Sequence, residues 1–247
     1  MCLMCRCKEN NFLRVQFDKI THWIMVTLQR IWDFLSELSE NNNKPWFDAH
    51  KDFYKVALSD GQQFAEQMIA GLSKFDKAVA GLTVKDCTYR IYRDLRFSLD
   101  KTPYKTHWGV YVCPQGKKSG NAGYYLHIEP KQECMLVSGL YMPSSPALKS
   151  VREEIMCNGR GFDAAIRACK GFELDWSSAL KRVPQGWNAA DEFSDYYKLK
   201  DIDVVQTITK AQVVAPDFLD FVLTEFEKTY PLVELLNRCV AFANENY

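Results

Sequence analysis

Two groups of side chains in this chain have the types and the spacing to do chemistry. The first lies between Arg90 and His107, in the run Arg-Ile-Tyr-Arg-Asp-Leu-Arg-Phe-Ser-Leu-Asp-Lys-Thr-Pro-Tyr-Lys-Thr-His. Arg90, Arg93, Arg96, Lys101 and Lys105 meet only Asp94 and Asp100 there. Guanidinium groups present forked donors that match phosphate or carboxylate, and lysine adds point charge. With aromatic residues among the cations and His107 at its end, the run suits an anion or a phosphorylated ligand. The second group is Gly123-Tyr-Tyr-Leu-His-Ile-Glu-Pro. Strand alternation places Tyr125, His127 and Glu129 on one face, where a histidine beside a carboxylate can act as acid or base near neutral pH.

Each group also has a plainer reading. The cations suit a charged edge with one structural arginine, and the Tyr-His-Glu row suits a hydrogen-bonded face of a half-exposed sheet. A metal reading of the second group is weaker. His107, His127 and Glu129 form a loose two-histidine, one-carboxylate set, but no histidine follows His127. Other signatures are missing: there is no phosphate-binding Gly-x-x-x-x-Gly-Lys-Ser/Thr loop, dinucleotide Gly-x-Gly-x-x-Gly, Gly-x-Ser-x-Gly elbow or His-Glu-x-x-His. Nothing names a substrate, a reaction or a cofactor, so whether the chain is an enzyme stays open.

The totals narrow the class. Lys plus Arg and Asp plus Glu are 31 each, for a net charge of zero. A general nucleic-acid binder carries a basic balance, so binding to a nucleic-acid backbone or an acidic partner would need a local patch. The alternative to a ligand-binding domain is therefore a non-enzymatic interaction module built on the same cations. Nine cysteines, an odd number at irregular spacing, do not read as a disulfide framework and fit reduced thiols in the cytoplasm. No apolar run approaches the ~20 residues that span a membrane. Residues 1–24 differ from the rest and read as a poorly structured extension, with Met25 a natural start. Cys2, Cys5 and Cys7 lack a second ligand pair at zinc-finger spacing.

The elements that must position these groups follow from periodicity. Thr27 can cap a helix with Leu28, Ile31, Trp32, Leu35 and Leu38 on its apolar face, ended by Asn41-Asn42-Asn43 through the left-handed tolerance of asparagine. Pro45 opens a second helix, Gly61 marks a break, and Phe64, Met68, Ile69, Leu72 and Phe75 form a third stripe. The period then changes to two. Thr88–Phe97 reads as a strand, with Arg90, Tyr92, Asp94 and Arg96 on one face and Arg93 on the other among apolar neighbours. Strands over His107–Cys113, Ala122–Glu129 and Cys134–Tyr141 follow with short turns between them, an antiparallel meander. Helices are expected from Ser144 to Cys157 and over Phe162–Cys169, a loop over Lys181–Lys200, a strand over Ile202–Ile208, and helices over Asp217–Glu227 and Leu232–Asn244 separated by Pro231. Residues 25–247 thus read as one α+β domain, with N- and C-terminal helices packed mainly on one face of the sheet.

Several of these strings resemble a known family. They are Asn41-Asn-Asn-Lys-Pro-Trp-Phe, the run from Tyr89 to His107, Ala122-Gly-Tyr-Tyr-Leu-His-Ile-Glu-Pro, Gly139-Leu-Tyr-Met-Pro with Leu148 and Arg152, and Leu180-Lys-Arg-Val-Pro-Gln-Gly. Together they are similar to the conserved-hypothetical group catalogued as domain of unknown function 2461, from about Leu28 to the C-terminus. The resemblance implies a single domain starting near Met25 and implies no activity. His50 departs from the polar residue usual in that pattern, which argues against a catalytic role for it.

Alternation has a consequence for the first group. Arg90 and Arg96 on one face, Arg93 on the other and two lysines on a Pro-containing turn cannot all grip one ligand from a flat strand. Either the turn folds over the Arg90/Arg96 face, or Arg93 is structural.

Overall fold

The apolar stripe after Thr27 forms helix α1 (Gln29–Glu40), which buries Ile31, Phe34, Leu35 and Leu38. The computed structural model describes residues 27–96 and 99–247; the expected extension over 1–24 and the Met25 start lie outside the described residues. The N-cap of α1 is Leu28, fully buried and without a side-chain cap, so apolar burial rather than Thr27 sets the start. Asn41 closes the helix at φ −130, outside the left-handed region expected of it. Its neighbours have other work. Asn43 caps α2 (Lys44–Ala49) by accepting the Trp46 N–H at 3.0 Å, and Asn42 bonds both backbone groups of Tyr104.

Helix α3 (Lys51–Leu72) runs straight through Gly61. A Cβ at Gly61 would stand 2.7 Å from Ile31 Cδ1 and 3.0 Å from the Trp108 ring. The glycine marks close helix–helix and helix–sheet packing, not the expected break. Phe64 and Met68 on the same helix are fully buried, and truncating either to alanine is expected to cost roughly 2–5 kcal/mol.

After the short helix α4 (Val84–Cys87), the expected strand over Thr88–Phe97 does not form among the described residues. Isolated bridges join Thr88 to Val110 and Tyr92 to Tyr104. Arg93 N donates to Pro103 O at 3.0 Å and Lys105 N to Ile91 O at 2.8 Å. The segment doubles back on itself as a narrow hairpin. Its carboxylates explain why: Asp94 Oδ1 accepts the Arg96 N–H and Asp100 Oδ1 the Thr102 N–H, local bonds that compete with a sheet ladder. Pro103 has no N–H to offer.

The meander follows as β1 (Trp108–Val112), β2 (Gly123–Ile128) and β3 (Cys134–Leu140). Helix α5 (Ser145–Ala168), strand β4 (Glu173–Leu174), strand β5 (Ile202–Ile208) and helices α6 (Lys210–Val213) and α7 (Phe218–Asn246) complete the described chain. The sheet order is β1-β2-β3-β5-β4, antiparallel throughout, and the class is α+β as expected. Of the two pairs of expected helices, one meets across a kink and the other is continuous. In α5 the join is a single non-helical residue, Asn158. In α7, Pro231 lies inside the helix, whose buried Phe226, Leu232, Val233 and Leu236 hold it together despite one lost backbone bond.

The helices load one face of the sheet. Tyr124, Leu126 and Ile128 of β2 and Leu136 and Ser138 of β3 are buried there. Thr229 of α7 donates to Ser138 at 2.7 Å, Phe226 packs on Tyr124 and Phe64 of α3 on Trp108. The alternate residues Tyr125 and His127 point away from that core and are half-buried.

Candidate functional site

An open groove of about 1120 Å³ lies beside the hairpin base. One wall is the polar side of α3, with Ser59, Gln62, Gln63 and Glu66. The other collects cations from three segments: Lys85 of α4, Arg90 and Lys105 from the two limbs of the hairpin, and Lys117 and Lys118 from the turn between β1 and β2. Gly116 makes that gathering possible. It sits at φ +83, and a Cβ there would press on Asp86 at 3.1–3.2 Å. The turn can therefore approach α4, where Lys117 N donates to Asp86 O at 2.9 Å and Lys117 Nζ donates to Lys85 O.

Tyr89 floors the group, its ring centroid 5.2 Å from Lys105 Nζ and 5.7 Å from Lys117 Nζ. Both distances allow cation–π attraction. Burial, and then the neighbouring Arg90, hold the Lys105 ammonium below its ordinary pKa. Among the described residues Lys85, Arg90, Lys105, Lys117 and Lys118 form no salt bridge. Asp86, nearest in charge to Lys117 and Lys85, spends its carboxylate on the backbone and hydroxyl of Thr83.

The expected cation cluster is thus divided. Arg90 and Lys105 line the groove; Arg93, Arg96 and Lys101 do not. Arg93 is half-buried and bonds Asp100 and Thr102 within the hairpin. Arg96 pairs with Asp94 at 2.6 Å, and Lys101 Nζ donates to Leu95 O at 3.0 Å. In their place stand Lys85, Lys117 and Lys118, which the sequence reading passed over. The adjacent pair of lysines between two glycines was the available signal, but a cation-bearing turn has no partner until the fold supplies one.

The second group is assembled as expected. Tyr125 Oη lies 2.8 Å from His127 Nδ1, and His127 Nε2 lies 3.2 Å from Glu129 Oε2. Glu129 is buried, and its other oxygen accepts from Thr106 Oγ1 at 2.6 Å and Gln132 Nε2 at 3.2 Å. His107 adjoins the row, its ring centroid 4.9 Å from that of His127. Burial, with His127 adding to it, pushes the His107 pKa down to about 4. Burial raises the Tyr125 phenol above its ordinary value. His107 also lines a narrow apolar cleft with Tyr89, Arg90 and Lys105. Those three residues line the groove as well, so the cleft adjoins the groove.

No helix among the described residues is long and apolar enough to cross a membrane. Residues 30–235 match the family model described as Conserved hypothetical protein (DUF2461). No curated protein and no solved structure matches the chain.

Proposed function

We propose that this chain, which belongs to the conserved hypothetical protein family DUF2461, binds a phosphate-bearing small anion in the groove beside its hairpin. One observation carries the reading: five cationic side chains from three segments share a groove with one lining carboxylate, Glu66, and without a salt bridge among the described residues. Burial, and then repulsion from Arg90, already disfavour the Lys105 ammonium, and an anion bound beside these cations relieves that repulsion. Arg90 supplies the forked donor and the lysines supply point charge. The Tyr89 ring offers a flat apolar surface beside them. We place the protein in the cytoplasm, a reading supported by its cysteines: all six described ones are free thiols, five of them buried.

The test is calorimetry with pyrophosphate as the probe at low ionic strength. Lys105→Ala and Arg90→Ala are each expected to weaken binding about tenfold, the scale of one charge-assisted hydrogen bond. Arg96→Ala, at the self-paired hairpin tip, is expected to leave affinity unchanged. Equal losses in all three variants, or no binding by the wild type, would overturn the proposal. A duplex oligonucleotide bound far more tightly than pyrophosphate, with affinity falling steeply in salt, would replace the small anion with a nucleic-acid backbone.

A further inference from the structure

We infer that His107, His127 and Glu129 form a binding site for one divalent transition-metal ion of the zinc or ferrous-iron class. One ligand atom from each of the three lies within 4.8 Å of the other two. The sheet sets this up. His107 directly precedes β1 and Glu129 directly follows β2, in a register that pairs Trp108 with Ile128, and His127 lies two residues before Glu129 on the same side of β2. Protein ligands at ~2.0–2.2 Å from a metal stand roughly 3–3.5 Å from one another. His127 Nε2 and Glu129 Oε2 already do, at 3.2 Å. The His107 nitrogen, within 4.8 Å of both, has to move closer to complete the set.

The surrounding hydrogen bonds direct those atoms. Tyr125 Oη occupies His127 Nδ1 at 2.8 Å and leaves Nε2 as the metal-facing nitrogen. Thr106 and Gln132 both donate to Glu129 Oε1 and leave Oε2 turned toward His127. Such outer partners commonly orient metal ligands. Proton bookkeeping is simple. Without metal, Tyr125 O–H donates to Nδ1 and Nε2–H donates to Glu129. With metal, the tautomer reverses: Nδ1–H donates to the phenol oxygen, and the Nε2 lone pair goes to the ion. Two histidines and one carboxylate leave coordination positions for water or substrate, which is the pattern of catalytic rather than structural sites. The inference stands apart from the anion groove and fails or survives independently of it.

Full-length protein, stripped of metal and titrated with Co²⁺ in the absence of phosphate, tests it through the ligand-field absorption of the bound ion and through calorimetry. The background carries Cys2, Cys5, Cys7 and Cys157 changed to serine, because free thiols compete for such ions. One ion per chain is expected. His107→Ala and Glu129→Gln should each weaken it at least 100-fold. Tyr125→Phe, which keeps the ring but loses the outer hydrogen bond, should weaken it about tenfold. Circular dichroism checks that each variant is folded; if Glu129→Gln unfolds, His107→Ala carries the test, since His107 is a half-buried residue outside the strands. Absence of a one-to-one Co²⁺ complex in the folded protein, or a complex unaffected by both ligand substitutions, would overturn the assignment and leave Tyr125, His127 and Glu129 as a hydrogen-bonded row.

Discussion

The base and the tip of the hairpin over residues 88–107 carry the same kinds of side chain under opposite electrostatic conditions. At the tip, Arg96 pairs with Asp94, Arg93 with Asp100, and Lys101 with a backbone carbonyl, all within ten residues of one another. At the base, Arg90 and Lys105 have no carboxylate partner among the described residues and instead face three lysines from elsewhere in the chain. A count of charge along the sequence weights the two ends equally. The structure teaches that local acids decide: carboxylates two and seven residues away pair with Arg96 and Arg93 at the tip, while the base cations have Glu66 and Asp86 nearby but no salt bridge among the described residues. Exposed pairs of the tip kind contribute about 0–1 kcal/mol each, so their removal is cheap, whereas the base cations hold a potential that a ligand can use.

Asp203 extends the comparison to a buried carboxyl without a salt bridge among the described residues, and carries the largest expected effect. It is buried on β5, 5% exposed, and no salt bridge reaches it among the described residues. Burial, then Asp201 and Asp175, raise its pKa from 3.8 to about 7. The folded-state value lies above the unfolded one, so the native state holds an extra proton between about pH 4 and pH 7. The stability this contributes is fully present below pH 4 and is lost as pH rises through 7. Three units correspond to at most about 4 kcal/mol. Asp203→Asn should therefore unfold at a higher temperature than the wild type at pH 8 and show a flatter stability profile between pH 4 and 8. Parallel profiles for the two proteins would mean that Asp203 binds its proton alike in the folded and unfolded states.

Charge reversal at the two ends of the hairpin comes next in size. Lys105→Glu at the base should weaken pyrophosphate binding about 100-fold, or ~2.7 kcal/mol, because it removes one cation and adds an anion beside the ligand. Lys101→Glu at the tip makes the same change in net charge and should alter affinity less than twofold. Lys101→Glu should not shift the unfolding free energy by more than about 0.5 kcal/mol, since its side chain is exposed. If long-range charge alone drew the anion, the two variants would be equivalent, and the distinction between base and tip would collapse.

The same contrast explains what could be read from sequence. Strands β1, β2, β3 and β5 were legible within one residue or two, because alternating apolar positions are bounded by turn residues. Alternation was equally clear from Thr88 to Phe97, and there it misled. Burial does alternate as expected, with Ile91 buried, Tyr92 exposed and Arg93 between them, but Asp94 and Asp100 take the N–H groups a ladder would need. The Tyr125–His127–Glu129 row was legible because one strand carries all of it. The groove was not, because Lys85, Arg90, Lys105 and Lys117 meet only through a backbone bond from Lys117 to Asp86 and the fold of the hairpin. Continuous α7 was hidden by Pro231, whose local cost is outweighed by burial that no window of sequence displays.

The smallest expected effect tests whether the base is an organised surface or only a concentration of charge. Tyr89 is 44% exposed, yet two lysines lie over its ring. A ring at that distance attracts an exposed cation by about 0.5–1 kcal/mol, and sharing it holds Lys105 and Lys117 on the same side of the groove. Tyr89→Leu keeps the apolar bulk and removes the ring's quadrupole. Both ammonium groups then gain rotamer freedom, and binding pyrophosphate must restrict them again. A two- to fivefold loss of affinity follows, while Tyr89→Phe, which keeps the ring, should bind as the wild type does. Equal loss in both variants would point to the hydroxyl as a direct ligand contact. No loss in either would mean that the lysines need no platform, and the base would then differ from the tip only in lacking salt bridges among the described residues.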